Sequence, residues 1–142
     1  MNKAYQETTY FKLVACWSKA GIGTSIVVES SLGTRIALDI GATQIFHEAT
    51  TAKIVLVTHG HLDHIGGIFS HARAHYSSSS PPAYYVPSAL AGKLEAARQA
   101  MSDLDSANDG SGCRTESLIA MNIIGVSPGD EIQLGKTKGD ER

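Results

Sequence analysis

Four side chains able to bind a metal fall within six positions of the run Thr58-His59-Gly60-His61-Leu62-Asp63-His64-Ile65-Gly66-Gly67. In an extended segment His59 and His61 project to the same side, because side-chain direction repeats every two residues, so they can share one ion. If the chain then turns into a helix, Asp63 and His64 swing to adjacent directions and reach a second ion beside the first. Imidazole and carboxylate ligands suit zinc, manganese or iron, and the lack of thiolates argues against a structural zinc finger. Gly60 is expected to allow close backbone approach, and Gly66 with Gly67 to leave room for a substrate next to the metals. Chance grouping of surface histidines explains a lone His better than a His-x-His-x-Asp-His run bounded by glycines.

All six histidines lie between His47 and His75, and the last 67 residues contain none. His71 and His75 are spaced i,i+4 and would share a helix face. With no carboxylate or cysteine beside them, a solvated or core-edge role fits them better than metal binding, and His47 is set apart in the same way. Asp39 follows Ile36, Ala37 and Leu38 at the end of an apolar run. An acid there is costly to bury unpaired, and metal-bound histidines commonly donate their other ring N–H to a carboxylate. Asp39 is therefore expected to back one of the cluster histidines, the alternative being a simple turn-forming acid.

The elements that must position these groups read as α/β. Phe11 to Trp17, Thr24 to Val28 and Thr34 to Ile40 predict an antiparallel meander, with turns in SKAGIG and ESSLG. Residues 43–52 predict a short helix or irregular connection. Ile54 to Val57, apolar without alternation, predicts a strand buried on both faces, and Ile65 to Tyr76 can run as a helix. The SSSSPP segment is a loop, Ala83 to Val86 a short strand stopped by Pro87, and Ser88 a helix N-cap. In the helix after it, Leu90, Leu94, Ala97, Met101 and Leu104 form one stripe, read as core packing. A polar loop from Leu104 to Thr115, a strand within Leu118 to Val126, an SPGD turn, a last short strand at Glu131 to Leu134 and a polar tail complete the chain.

With 142 residues, 42% of them hydrophobic, and a net charge of −2, the chain fits one soluble domain without a broad basic face for nucleic acid. Cys16 and Cys113 make no disulfide framework, which favours a reducing, intracellular compartment. No signal pattern opens the sequence, and no apolar run reaches the roughly 18 residues of a membrane span, so no membrane partner is expected.

THGHLDHIGG after an apolar strand, preceded by LDIG, resembles the signature of the metallo-β-lactamase superfamily, His-x-His-x-Asp-His. Within it the chain is most similar to the tRNase Z group, which trims the 3′ trailer of precursor tRNA. The likeness rests on GIGTS, ALDIG, VTHGHLDHIGGI, PPAYYVP and NIIGVSPGDEIQLG, covering residues from about 12 to 136. It implies the N-terminal half of an αββα sandwich, a mixed sheet with helices on one face, with residues 1–142 forming a single partial domain. It implies that His59 and His61 hold one zinc, that Asp63 and His64 hold the other, and that Asp63 is the general base. The substrate implied is precursor tRNA or another phosphodiester.

The family's remaining ligands follow the IQLG strand, where this chain has no histidine and where Asp130 and Asp140 do not match the bridging acid. The PTxxR-type loop, the leaving-group histidine and the tRNA-gripping arm are likewise missing. The chain is thus expected to be a fragment or truncated form, or to complete its fold through a homodimer or another chain. Two other readings stand beside this one. The same motif serves thioester, lactam and sulfate-ester hydrolases, and a non-catalytic half-domain would bind metal weakly or not at all.

Overall fold

A computed structural model of the protein describes residues 10–107 and 118–134. The three predicted strands form the expected meander: β1 (Phe11–Lys19), β2 (Gly23–Ser30) and β3 (Arg35–Ile40) pair antiparallel in sequence. The hairpins close where glycine takes positive φ, at Gly21 (74°) and Gly33 (84°), conformations in which a Cβ would be strained.

The remaining strands, β4 (Ile54–Leu56), β5 (Ala83–Pro87) and β6 (Asn122–Val126), add in parallel to give a single mixed sheet in the order β1-β2-β3-β4-β5-β6. Parallel neighbours need crossovers, and these carry α1 (Phe46–Thr50), then α2 (Leu62–Ile65) with α3 (Ile68–Ala74), then α4 (Ser88–Ala107). Because every crossover advances in the same direction across the sheet, right-handed connections place the helices on one face. The core follows from this, joining Ala49 of α1, Ile68 and Ala72 of α3 and Leu94 of α4 to Val27, Val55, Tyr84 and Val86 of the sheet.

Several expectations change. In the 54–57 run only Val55 and Val57 are buried, whereas Ile54 and Leu56 are half-buried, so one face of the strand is sealed. An apolar run reports the character of both faces but not what covers them. The α4 stripe is buried only at Leu94, with Leu90 half-buried, while Met101 and Leu104 are 39% and 60% exposed. The five-residue strands beneath it span about 17 Å, against about 30 Å for a helix of 20 residues, so its second half overhangs the sheet. The predicted Ile65 to Tyr76 helix is shorter, since α2 ends at Ile65, the chain turns at Gly66 and Gly67, and α3 covers Ile68–Ala74; Glu131 to Leu134 forms no strand. Asp130 does close the SPGD turn, accepting from the Ser127 amide at 2.9 Å. Cys113, Asp140, the tail and most of the 104–115 loop lie outside the described residues.

Candidate metal centre

The histidine motif leaves the sheet at a fixed point. Val57 still donates to Tyr85 O at 2.9 Å, and His61, extended at φ −66° and ψ 141°, precedes the first residue of α2. At the far end Gly67 N donates to Ile40 O at 2.8 Å, tying the motif to the end of β3. Backbones meet closely here: a Cβ on Gly41 would lie 2.0 Å from Asp63 O, and one on Gly67 would lie 2.5 Å from Gly41 O. Gly67 therefore serves backbone packing against β3 rather than room for a substrate. Gly60 is not demanding, since its Cβ would meet only the Leu90 side chain, at 3.4 Å or more.

Three imidazoles converge on the outer side of this turn. The His59 ring centroid lies 4.7 Å from that of His61 and 4.1 Å from that of His64. Asp63 borders them, its Oδ2 3.7 Å from His64 Nε2 and within 3.3 Å of the Gly21 amide, which donates to it. The β1–β2 turn thereby holds the carboxylate from a distance of 42 residues.

Asp39 sits behind the rings, and a bulge puts it there. Ser25 pairs with Ile40 and Ile26 with Leu38, so Asp39 is an extra residue in β3, at φ 57°. Asp tolerates this left-handed conformation better than most residues, and bulges commonly redirect a side chain beside a functional site. The carboxylate, 4% exposed, accepts three hydrogen bonds: from Thr58 N to Oδ1 at 2.8 Å, from Thr58 Oγ1 to Oδ2 at 2.6 Å, and from His64 Nδ1 to Oδ2 at 2.7 Å. Ligand atoms of Asp39, His59 and His64 lie within 4.8 Å of one another. Both Asp39 oxygens are nevertheless engaged by protein donors, which leaves Asp39 to orient His64 rather than to bind an ion itself.

The other histidines are placed differently. His71 is fully buried, its Nε2 donating to Ala52 O at 2.8 Å and its Nδ1 accepting from the Tyr84 hydroxyl at 2.6 Å. Burial lowers its pKa to about 4 and raises that of Tyr84, so both stay neutral. His75 donates from Nε2 to Thr50 O at 2.8 Å, its ring 4.9 Å from that of His71. This pair ties α3 to the chain around α1, with His71 deeper than the solvated or core-edge position expected of it. His47 is exposed on α1.

No family model matches the chain. A tRNase Z of Arabidopsis thaliana is 30% identical over 104 residues, covering 72% of this chain and 32% of that protein. The chain thus spans about a third of the length of this curated relative. The metallo-β-lactamase fold protein YhfI of Bacillus subtilis superposes with a TM-score of 0.52 at 14% identity, covering 88% of this chain and 48% of that one.

This chain has the metallo-β-lactamase fold. On that fold the β4-to-α2 turn carries His59 and His61, α2 carries Asp63 and His64 beside them, and the β3 bulge carries Asp39 behind them. Thr58, which the sequence shows only as a polar residue ending an apolar run directly before the first histidine, joins the site. Its amide and hydroxyl both bind Asp39, and its Oγ1 lies 2.9 Å from His59 Nδ1. Among the described residues no helix is long and apolar enough to cross a membrane.

Proposed function

We propose that the chain carries half of a two-zinc hydrolytic centre acting on phosphodiesters, with the trailer of precursor tRNA as its substrate. The observation that carries this reading is the convergence of three imidazoles beside one carboxylate. The donor set fits zinc: His59 and His64 are each held through Nδ1, leaving Nε2 for a metal, and Asp63 offers an oxygen beside them. His59 and His61 would hold one ion, Asp63 and His64 the other. Zinc bound there supplies an acidified water and positive charge for a phosphate. Asp63, fixed by the Gly21 amide, would orient that water and take its proton. The tRNase Z likeness supports the choice of RNA, and because the same His-x-His-x-Asp-His motif serves hydrolases of other esters, hydrolysis of a thioester is the second reading.

Because the chain corresponds to 48% of YhfI, we place residues 1–142 in one partial domain, completed by a second copy or a fold-completing chain that supplies the remaining ligands. Half-buried Ile54, Leu56 and Tyr85 on the uncovered sheet face offer a surface for it. The test combines elemental analysis of the purified protein with cleavage assays on precursor tRNA, bis-p-nitrophenyl phosphate and a thioester, and with His61→Ala as control. Zinc binding and trailer cleavage, both lost in His61→Ala, are expected. Folded protein without zinc at micromolar metal would overturn the centre, and thioester cleavage alone would overturn the RNA assignment.

A further inference from the structure

We propose that the Thr58 hydroxyl is a relay that fixes the tautomer of His59, so that one carboxylate, Asp39, sets the metal-facing nitrogen of two histidines. The inference rests on the metal-centre reading for its purpose but not for its geometry. An ionised carboxylate only accepts, so the 2.6 Å contact between Thr58 Oγ1 and Asp39 Oδ2 uses the single hydroxyl proton of Thr58. The same oxygen lies 2.9 Å from His59 Nδ1 and has only lone pairs left to offer. His59 must therefore donate from Nδ1, and its neutral ring presents a bare Nε2. His64 is wired directly, donating from Nδ1 to the same Asp39 oxygen at 2.7 Å. A free neutral histidine side chain favours the opposite tautomer, with the proton on Nε2, where it would block a metal. Thr58 thus acts as a positioning residue, determining through its contact with His59 which nitrogen of that ring is available.

The chain of contacts is anchored at both ends. The Thr58 amide donates to Asp39 Oδ1 at 2.8 Å, so the threonine is held to the carboxylate by its backbone even when its hydroxyl is removed. Thr58→Val keeps the shape and that amide bond while deleting the relay, and Thr58→Ser restores the hydroxyl.

The test is the ring ¹⁵N spectrum of the metal-free protein, with His59 assigned by the loss of its signals in His59→Gln, followed by zinc titration. The wild type is expected to show His59 as the Nδ1–H tautomer. Thr58→Val should shift it toward Nε2–H and weaken zinc binding by about tenfold or more, the usual scale for losing a group that orients a ligand, while Thr58→Ser retains the wild-type tautomer and affinity. His59 as Nε2–H in the wild type overturns the relay without recourse to any variant, as does an unchanged tautomer in folded Thr58→Val. If the Nδ1–H tautomer is present and depends on Thr58 but no variant binds zinc, the relay stands and the metal-centre reading fails.

Discussion

Lowering the pH from 6.5 to 4 should destabilise this protein through His71. Unfolded, the side chain takes a proton below about 6.5. Folded, it is held to about 4 by burial. Between those values the unfolded chain binds more protons, so stability falls as pH falls through this window and loses nothing further from this group below about pH 4. One proton contributes at most about 1.4 kcal/mol per pH unit, so the window is worth on the order of 3 kcal/mol. That is a large share of the roughly 5–15 kcal/mol that holds a small domain together. The hydrogen bonds give the same sign: an imidazolium has no lone pair, so protonation removes the acceptor that the Tyr84 hydroxyl meets at 2.6 Å.

Urea unfolding at half-unit steps from pH 7.5 to 4, followed by Trp17 fluorescence, measures the slope. His71→Gln keeps an N–H donor for Ala52 O and cannot titrate, so the carboxylates and the other histidines contribute alike to both proteins. The wild type should lose about 3 kcal/mol more than the variant between pH 6.5 and 4. Parallel curves would refute the reasoning, as would a His71 ring resonance titrating near 6.5 in the folded wild type, a measurement that does not depend on the variant folding.

Asp39→Asn should weaken zinc binding by roughly 10- to 100-fold, because the amide nitrogen must face either the Thr58 N–H or the shared Thr58 hydroxyl and His64 N–H; unchanged affinity by competitive chelator titration would show the carboxylate to be dispensable. Gly41→Ala places a methyl 2.0 Å from Asp63 O, so it should cost about 1–3 kcal/mol in urea unfolding and weaken zinc binding. Gly92→Ala, where a Cβ meets nothing within 4 Å in the second turn of α4, should instead stabilise by about 1 kcal/mol. Ser25, fully buried, has a hydroxyl with no partner among the described residues; Ser25→Ala should therefore raise the thermal midpoint or leave it level, and a clear drop would reveal a bond to that oxygen.

The hairpins and the motif were legible because each depends on local chemistry: glycines where φ turns positive, and ligand-type side chains two residues apart at a strand end. Asp39 was legible as an acid too costly to leave unpaired, but the bulge that aims it was not. The bulge arises from how β3 registers on β2, where Ser25 faces Ile40 and Ile26 faces Leu38, and no property of Asp39 alone encodes that. Thr58 escaped for a similar reason, since its partner lies 19 residues away. The errors in the 54–57 run and the α4 stripe share a cause. Apolar pattern fixes which side chains seek burial, while the extent of the neighbouring layer decides which of them obtain it.

The histidines show this most fully, because the sequence sets His71 apart from His59 only by the lack of a neighbouring acid. Both follow an apolar stretch, and each has a second histidine near enough to share an ion. What differs is the use of the two ring nitrogens. In His71 both are taken, one by Ala52 O and one by the Tyr84 hydroxyl, so the ring has nothing left to offer and is buried neutral. In His59 and His64 only Nδ1 is engaged, in each case through Asp39 directly or by way of Thr58. On the proposed reading His59 and His64 are ligands because one ring nitrogen is held to an acid, directly or through Thr58, while the other makes no hydrogen bond among the described residues. By that criterion His75, held at Nε2 by Thr50 O beside a buried ring, belongs with His71. Its replacement by Gln should lower stability and leave zinc binding untouched, whereas replacing His59 or His64 should do the reverse.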